Sequence, residues 1–246
     1  MHSITKSLQF IYNKHAKHFS QTRKKRRPEI DHIIDYINTI QKKTINILEL
    51  GCWDGRLYKF LQTRTKKNIH YTGIDIADKL LEIAKKNNPE WRFIHADMID
   101  EITKNKQESV DIIISIASFH HIPTHKDRLF ILKNAYRILQ YEWTIIMTNR
   151  ALSHRFIKKY RKSLGHAILQ NLLSLGQRSW RDVYITRNKQ WKRYYHIFNK
   201  NYLESLVKQS WFTIRAHHYI TAKWWESNTN KNARNIFTIG KKTIKT

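Results

Sequence analysis

The stretch INILELGCWDGRLYKFL, residues 45–61, decides the fold. It begins with a nearly all-apolar run, which is typical of a strand buried on both faces. Gly51 and Gly55 follow, and a helical pattern begins directly after them. Small residues in such a turn let backbone N–H groups approach a ligand at the start of the helix. The stretch therefore predicts the first strand–turn–helix unit of a ligand-binding α/β fold.

The same alternation continues along the chain. Further strands are predicted for IHYTGID, WRFIHAD, VDIIISIA and TIIMTN, and helices for residues 55–65, 77–87 and 125–139. Near the C-terminal end, KNYLESLVKQS predicts a helix, and FTIRAHHYI and ARNIFTIGKK predict two strands. Alternating helices and apolar strands indicate a parallel sheet covered on both faces. We therefore expect an α/β, Rossmann-like fold: a seven-stranded sheet, mostly parallel with an antiparallel edge hairpin, and helices on both faces.

We predict a single domain over residues 1–246, because no Pro- or Gly-rich linker divides the chain. Residues 1–43 are predicted to form N-terminal helices, one over residues 4–18 and another opened by Pro28. Residues 151–198 are basic and lack a clear strand pattern. We predict that they form an insertion of one or two helices and a loop, placed before the last helix and hairpin.

The chain is strongly basic. It has 46 Lys and Arg residues against 19 Asp and Glu residues, which gives a net charge of +27. Such a charge favours binding to polyanions such as nucleic acid, although a coding bias would produce the same count on a solvated surface. The densest clusters are TRKKRRPE at 22–29 and HRFIKKYRK at 154–162. Their candidate RNA-binding cations are Arg23, Lys24, Lys25, Arg26, Arg155, Lys158 and Lys159.

The cysteine content and the hydropathy of the chain exclude several classes of protein. Cys52 is the single cysteine, so no internal disulfide can form and no zinc-ligand pattern exists. The first residues, MHSITKSLQFIYNKHAKHF, lack the continuous apolar core of a signal peptide. The longest apolar run, VDIIISIASF, is too short to span a bilayer. We therefore expect a cytoplasmic protein with no metal site and no membrane partner.

Acidic residues stand at the predicted ends of the next two strands. Asp75 follows the glycine turn at about the spacing at which an acid binds ribose hydroxyls in such folds. Asp97 could accept a hydrogen bond from an adenine amine. Either acid alone is about as well explained as a helix cap or a surface carboxylate. Together with the glycine turn they predict a nucleoside-type cofactor site. Its candidate residues are Glu49, Gly51, Trp53, Gly55, Asp75, Ile76, Asp97, Met98 and Ser115.

Four stretches, in this order, resemble the motifs of class I S-adenosylmethionine-dependent methyltransferases: ILELGCWDGRLYKFL, YTGIDIA, HADM and SIASFHHI. Three longer stretches narrow the resemblance to wobble-uridine tRNA methyltransferases: FIYNKHAKHFSQTRKKRRPEI, SIASFHHIPTHKDRLFILKNAYRIL and KRYYHIFNKNYLESLV. That family esterifies 5-carboxymethyluridine in tRNA. The resemblance implies S-adenosylmethionine as cofactor and tRNA as partner. The eukaryotic relatives also use a small zinc-binding activator subunit, which is a candidate partner here.

The resemblance implies three catalytic residues: His120, His121 and Arg23. The two histidines follow the fourth strand and would lie beside the transferred methyl group, or else be structural histidines at a strand end. Arg23 would bind the substrate carboxylate or the cofactor, or else be one more member of a basic run. A carboxylate acceptor is already nucleophilic at neutral pH, so positioning would supply most of the catalysis.

The stretch KRYYHIF implies RNA contacts. Arg193, Tyr195 and His196, with Tyr194 between them, would form a wall on which a base stacks or RNA is held. Core packing of the same side chains is an equally good interpretation of the pattern.

Trp53 departs from the family pattern, because glycine is expected there and an indole would occupy the space beside the cofactor. Trp143 and Trp211 also stand where relatives have glycine turns. The chain has 6 glycines and 8 tryptophans, whereas roughly 17 glycines would be typical of this length. We hypothesise that several tryptophans are native glycines encoded by UGA codons that the source organism reads as Gly: Trp53, Trp143, Trp180, Trp211, Trp224 and Trp225. The alternative is a genuine tryptophan that blocks or reshapes the site.

Two other functions share these motifs. A small-molecule methyltransferase, for example one acting on quinone precursors, has the same core motifs, but the charge and the basic insertion argue against it. A non-catalytic RNA-binding protein with an occluded cofactor pocket is the third interpretation, and a genuine Trp53 would favour it.

Overall fold

The computed structural model describes residues 3–22, 29–187, 191–221, 226–227 and 229–244. Within them, the helices are α1 Ser3–Lys14, α2 Ala16–Thr22, α3 Glu29–Thr39, α4 Arg56–Arg64, α5 Asp78–Asn87, α6 Met98–Glu101, α7 His125–Ile138, α8 His154–Leu173 and α9 Lys200–Gln209. The strands are β1 Thr44–Leu50, β2 Asn68–Asp75, β3 Arg92–His95, β4 Val110–Ile116, β5 Leu139–Arg150, β6 Asp182–Arg187, β7 Trp191–His196, β8 Thr213–Thr221, β9 Glu226–Ser227 and β10 Ala233–Lys241. Short 3-10 helices lie at Ile102–Lys104 and Phe119–His121.

The main sheet has the strand order β3-β2-β1-β4-β5-β10-β8-β9. The first five strands pair in parallel. β4 lies between β1 and β5 and is buried along almost its whole length, as its mostly apolar sequence predicts. The seven predicted strands are confirmed, and the two-residue strand β9 extends the far edge.

The antiparallel edge is also confirmed. β10 runs antiparallel to both β5 and β8, with Phe237 opposite Thr148 on one side and His218 on the other. α9 precedes β8 and packs against it. The parallel part of the sheet therefore ends at β5, whose C-terminal end lies beside the ends of β1 and β4.

Helices cover both faces of the sheet, as predicted. One buried cluster joins the sheet to α7 and α9 through residues such as Ile131 and Leu206. A second cluster joins the opposite face to α3 and α4 through residues such as Ile33 and Leu57. Both faces of the sheet are therefore apolar and covered by helices, so the sheet is the central layer of the fold. Polar functional side chains are expected instead at the carboxyl ends of its parallel strands.

The basic insertion contains a strand pair that we did not predict. α8 is followed by an antiparallel hairpin, β6–β7, rather than by a loop. The alternating pattern that marks the first strand contains only two apolar residues, Val183 and Ile185. Both are buried against α8. α8 spans 20 residues, yet no helix within the described residues is long and apolar enough to cross a membrane.

The N-terminal helices pack near the carboxyl ends of the parallel strands. The predicted helix over residues 4–18 is instead two helices, α1 and α2, which are separated at His15. α1 contacts α5 and β7, and α2 contacts α5. The predicted helix start at Pro28 lies outside the described residues, and α3 begins at Glu29. α1 and α2 thus lie near the same ends of the parallel strands as the glycine turn.

Candidate active site

The glycine turn after β1 has the left-handed backbone that glycine permits. Gly51 has a φ of 80° and Gly55 a φ of 70°. A Cβ atom added to Gly51 would lie 2.4 Å from the Cβ of Ser118, so no other residue fits there without movement of the chain. The N–H groups of Gly51 and Cys52 both donate to the carbonyl of Ile74, at 2.8 and 3.0 Å. The turn is thereby held against the end of β2.

Asp75 fixes the same turn from the end of β2. Its Oδ2 accepts the N–H of Trp53 at 2.9 Å, and its Oδ1 accepts the N–H of Ala77 at 2.9 Å. Burial raises the pKa of this carboxyl, and the backbone N–H donors oppose that shift. The candidate ribose acid therefore also joins the glycine turn to the start of α5.

Glu49 and Ser115 lie inside the protein. Glu49 is buried and accepts a hydrogen bond from the hydroxyl of Tyr71 at 2.5 Å. Ser115 is buried, with its Oγ 2.7 Å from the Oγ of Ser118. Ser118 in turn donates to the carbonyl of Leu50 at 2.5 Å. Ser115 and Ser118 thus tie the ends of β1 and β4 together beneath the turn.

Three further candidates for cofactor binding are Ile76, Asp97 and Met98, of which Asp97 is the one predicted to bond an adenine amine. Asp97 caps α6, because its Oδ1 accepts the N–H of Ile99 at 3.0 Å. Met98 is partly buried against the core cluster that includes α7. Ile76 is partly buried, and its carbonyl contacts the Nε2 of His95 at 3.0 Å. Ile76 follows the end of β2, and Asp97 and Met98 lie just beyond the end of β3, which pairs with β2.

Trp53 adopts a φ of 58°, a conformation that a residue with a Cβ rarely takes. Its indole packs beside Ala77 and Leu80 of the α5 start. Its ring centroid lies 5.9 Å from that of Phe19 and 6.2 Å from that of Tyr12. The indole therefore lies against α1, α2 and the start of α5, and the backbone N–H of Trp53 bonds Asp75.

The backbone and the side chains of the glycine turn differ in how well they suit a nucleoside-type cofactor. The backbone of the turn fits, since Gly51, Trp53 and Gly55 all have the left-handed conformation of a glycine-rich loop. The side chain of Trp53 does not fit, because a nucleoside held by Asp75 would need the volume that the indole fills.

His120 and His121 lie at the end of β4, in the short 3-10 helix. His120 is buried, and its Nδ1 accepts the backbone N–H of Arg150 at 3.3 Å. Its ring stacks on Tyr195 with a centroid distance of 5.1 Å. The two histidine rings are 4.6 Å apart. Both histidines follow Ser118, whose hydroxyl contacts the end of β1 just before the glycine turn.

The hydrogen bonds of His121 determine which nitrogen carries its proton. Nδ1 lies 2.7 Å from the carbonyl of Tyr194. A carbonyl only accepts, so Nδ1 must donate. Nε2 lies 2.9 Å from the hydroxyl of Tyr12, which can donate to it when the ring is neutral. The ring therefore connects α1, the end of β4 and β7.

The predicted RNA-contact wall on β7 is buried. Tyr194 and His196 both bond Asp182, at 2.7 and 2.6 Å, and His196 is 2% exposed. Their positions favour the packing interpretation. Arg193 and Tyr195 are buried as well, but they face the histidines: the Arg193 guanidinium carbon lies 5.4 Å from the Tyr195 ring centre.

The predicted surface cations divide into two groups. Arg155, Lys158 and Lys159 are exposed on the first half of α8. Arg23, Lys24, Lys25 and Arg26 lie outside the described residues, and so does the carboxylate-binding role predicted for Arg23. Among the described residues, no group of His, Cys, Asp and Glu side chains is arranged to hold a metal.

Two residues of the site were missed from the sequence. Tyr12 lies within the quoted N-terminal stretch, but nothing in a helical pattern shows that its hydroxyl reaches His121. Arg150 ends β5, and side chains at the carboxyl ends of parallel strands are site candidates by position. That positional rule could have found Arg150.

Known proteins resemble this chain in sequence. Residues 47–142 match a family model described as "Methyltransferase domain". A protein of Schizosaccharomyces pombe named tRNA (carboxymethyluridine(34)-5-O)-methyltransferase is 24% identical over 232 residues, which cover 87% of this chain and 92% of that protein. A protein of Saccharomyces cerevisiae with the same name is 33% identical over 124 residues, or 50% of this chain. That match spans only 40% of the Saccharomyces protein.

Solved structures resemble the fold. An S-adenosylmethionine-dependent methyltransferase from Methanosarcina mazei superposes with a TM-score of 0.70 at 18% identity, covering 85% of this chain and 98% of that one. A methyltransferase from Haloferax volcanii, solved in complex with the Trm112 methyltransferase activator, gives a TM-score of 0.66 at 12% identity, with 99% of each chain covered. The family match, the strand order and these superpositions agree. Residues 47–142 therefore match a methyltransferase domain, and the chain has the fold of the solved S-adenosylmethionine-dependent methyltransferases.

Proposed function

We propose that the chain is a tRNA methyltransferase that esterifies the carboxylate of a carboxymethyl group on a wobble uridine, with S-adenosylmethionine as methyl donor. The observation that carries the proposal is the cluster of His120, His121 and Tyr195 beside the glycine turn, in stretches that also resemble wobble-uridine enzymes. The Schizosaccharomyces relative, which aligns over 92% of its length, carries this activity in its name.

The chemistry suits a site without a strong base. The cofactor supplies a methyl group on a positively charged sulfur. A carboxyl group with an ordinary pKa near 4 is already ionised at neutral pH, so the protein need not remove a proton. The task left to the side chains is to bind and orient the acceptor. His121, held by Tyr12 and by the Tyr194 carbonyl, is suited to such a positioning role.

The charge supports a polyanionic substrate. The net charge is +27, and Arg155, Lys158 and Lys159 are exposed on one helix. Arg23 and its basic neighbours extend the proposed tRNA surface by sequence alone. Phosphate contacts of this kind supply affinity without sequence selectivity. A tRNA substrate also fits the proposed cytoplasmic location.

A small activator subunit is part of the proposal. The Haloferax structure that shares this fold is bound to the Trm112 methyltransferase activator. Co-expression of this chain with a Trm112-type protein should yield a complex that co-elutes in size-exclusion chromatography and methylates tRNA faster than the chain alone. Separate elution with unchanged activity would count against a partner of this kind.

The central experiment uses the chain, its Trp53→Gly variant and, as a matched control, Trp211→Gly. The control makes the same substitution at another left-handed residue, away from the turn. S-adenosylmethionine is titrated by calorimetry, and methyl transfer to bulk tRNA is then measured. Trp53→Gly should bind the cofactor at least tenfold more tightly than the other two proteins. The transferred label should be lost in mild alkali, because an ester hydrolyses there and a methylated base does not.

The outcomes separate the candidate functions. No cofactor binding by any variant would refute the methyltransferase proposal. Transfer to small acceptors but not to tRNA would support a small-molecule enzyme. The indole of Trp53 favours one alternative, a non-catalytic RNA-binding protein. tRNA binding by the parent chain, with no transfer even by Trp53→Gly, would support that alternative.

A further inference from the structure

Two arginines at the candidate site have no anionic partner among the residues that the structure describes. Arg193 is 7% exposed, and Arg150 is partly buried. The Nε atom of each is buried and has no hydrogen-bond partner. Burial lowers the pKa of the Arg150 guanidinium, and the nearby Arg234 and Arg193 lower it further. A guanidinium remains charged despite such a shift.

Their partners within the described residues are neutral. Arg193 donates through Nη1 to the hydroxyl of Tyr12 at 3.3 Å. Arg150 donates through Nη1 to the carbonyl of Arg234 at 3.4 Å. Neither arginine forms a salt bridge with an Asp or Glu in the part of the chain that the structure describes. Withdrawing a cation from water without a counter-ion is costly. Aromatic rings at 5.1 to 5.8 Å offset part of this cost for Arg193, and an anionic ligand would offset the rest.

Both arginines adjoin the candidate catalytic histidines. The backbone N–H of Arg150 donates to His120 at 3.3 Å. Arg193 shares the Tyr12 hydroxyl with His121. The ring of Tyr195 stacks on His120 and lies 5.4 Å from the Arg193 guanidinium carbon. The Arg193 guanidinium and the backbone of Arg150 therefore lie at the end of β4, where the proposed acceptor would react, and the charges of the two arginines are close enough to interact.

We infer that Arg150 and Arg193 form an oxyanion seat for the carboxylate of the acceptor nucleotide, and that they select a charged carboxymethyl group over its neutral amide. This inference rests on the proposed function. A guanidinium fork matches a planar carboxylate. A backbone phosphate carries two bulky ester substituents, and the 7% exposure of Arg193 leaves little access for them. The small, terminal carboxylate is the oxyanion that fits such a site.

The test uses three anticodon stem-loop RNAs that differ only at the wobble base: 5-carboxymethyluridine, 5-carbamoylmethyluridine and uridine. Binding is measured by fluorescence anisotropy without cofactor. The parent chain should prefer the acid over the amide by roughly tenfold or more, because hydrogen bonds to charged groups are strong. Arg150→Gln should bring the acid-to-amide ratio close to one, while affinity for the amide RNA changes by less than about twofold. Arg150→Lys, which keeps the charge but not the fork, should retain part of the preference.

Lys158→Gln is the matched control, since it removes one exposed cation from α8. It should weaken binding to all three RNAs equally and leave the acid-to-amide ratio unchanged. Equal weakening of all three RNAs by Arg150→Gln would assign the arginines to backbone phosphate and overturn the inference. So would an acid-to-amide ratio near one for the parent chain, or an unchanged ratio in both Arg150 variants. Circular dichroism verifies folding, and Arg150→Lys carries the test if Arg150→Gln unfolds.

The two proposals fail in different ways. If the parent chain or Trp53→Gly methylates tRNA with equal efficiency at the acid and at unrelated positions, the seat is refuted and the tRNA methyltransferase activity stands. If the acid is preferred in binding but no variant transfers a methyl group, the seat stands and the proposed function fails.

Discussion

At the scale of single residues, Trp53 and Trp211 have the backbone of glycines. Trp211 follows α9, where its N–H donates to the carbonyl of Lys208 and the N–H of Phe212 donates to that of Val207. These two bonds form a Schellman motif, in which the residue with positive φ is usually glycine. With a φ of 68°, Trp211 occupies that position. The hypothesis of misread glycines is therefore supported by conformation at these two positions.

The other tryptophans in that hypothesis differ. Trp143 and Trp180 do not have positive φ angles. At the turn before the apolar part of β5, the left-handed residue is Glu142, with a φ of 68°, rather than Trp143. Trp224 and Trp225 lie outside the described residues. Sequencing the gene decides the matter, because UGA codons at positions 53 and 211 would support misread glycines and UGG codons would refute them.

Trp211→Gly should stabilise the protein. The indole is 48% exposed, so its loss removes limited contact, whereas relief of a left-handed conformation contributes about 1 kcal/mol. Urea unfolding should show a higher midpoint for the variant. Trp191→Gly is the control, since Trp191 is buried in β7 without positive φ, and it should cost about 3 to 5 kcal/mol. A lower midpoint for Trp211→Gly would contradict the strain argument.

Gly51→Ala should be strongly destabilising, by about 2 to 4 kcal/mol, because it adds both backbone strain and overlap with Ser118. Gly176→Ala separates the two effects. Gly176 has nearly the same φ, 81°, but a Cβ there would meet no atom within 4 Å. Its cost should be about 1 kcal/mol. Equal unfolding free energies for the two variants would show that overlap with Ser118 does not contribute to the destabilisation.

At the scale of elements, the strands of the main sheet were predictable because each is an apolar run next to a turn. The hairpin β6–β7 was not, since its strands are short and carry charged and aromatic residues whose burial depends on α1 and α8. The same applies to the site. Asp75 and His120 follow from their places at strand ends, but the link from Tyr12 to His121 joins residues 109 positions apart. A periodic pattern contains no information about such a contact.

His196 gives the hairpin a pH dependence. Burial lowers its pKa, while Asp182 opposes the shift. As pH falls through about 6.5, the unfolded chain binds a proton there before the folded chain does. The stability contributed by neutral His196 should therefore decline below about pH 6.5. His196→Asn keeps an N–H for Asp182 and does not titrate, so its unfolding midpoint should vary less between pH 7.5 and 5.

The comparison needs a control, because other histidines also titrate in this range. His154→Asn lies on the exposed start of α8 and tests whether loss of any histidine flattens the profile. If both variants follow the parent chain from pH 7.5 to 5, His196 does not cause the dependence.

At the scale of the whole molecule, the charge should govern tRNA affinity. The triple variant Arg155→Gln, Lys158→Gln, Lys159→Gln removes three exposed cations from α8. The slope of log K against log salt should fall by about 2 to 3 if these residues meet phosphates. A triple Gln variant at Lys59, Lys85 and Lys86, also exposed, removes the same charge elsewhere. Equal slopes for the two variants would show that net charge alone, and not α8, sets the affinity.

The hydrogen bond between Tyr12 and His121 has a consequence for the order in which the protein is completed during translation. Every residue that fixes the glycine turn lies between β1 and Ser118. The contacts of His121 also need the Tyr194 carbonyl, which leaves the ribosome more than seventy residues later. A nascent chain can therefore complete its glycine turn well before the contacts of His121. Those contacts are complete only when the hairpin emerges and meets α1, which was synthesised earlier.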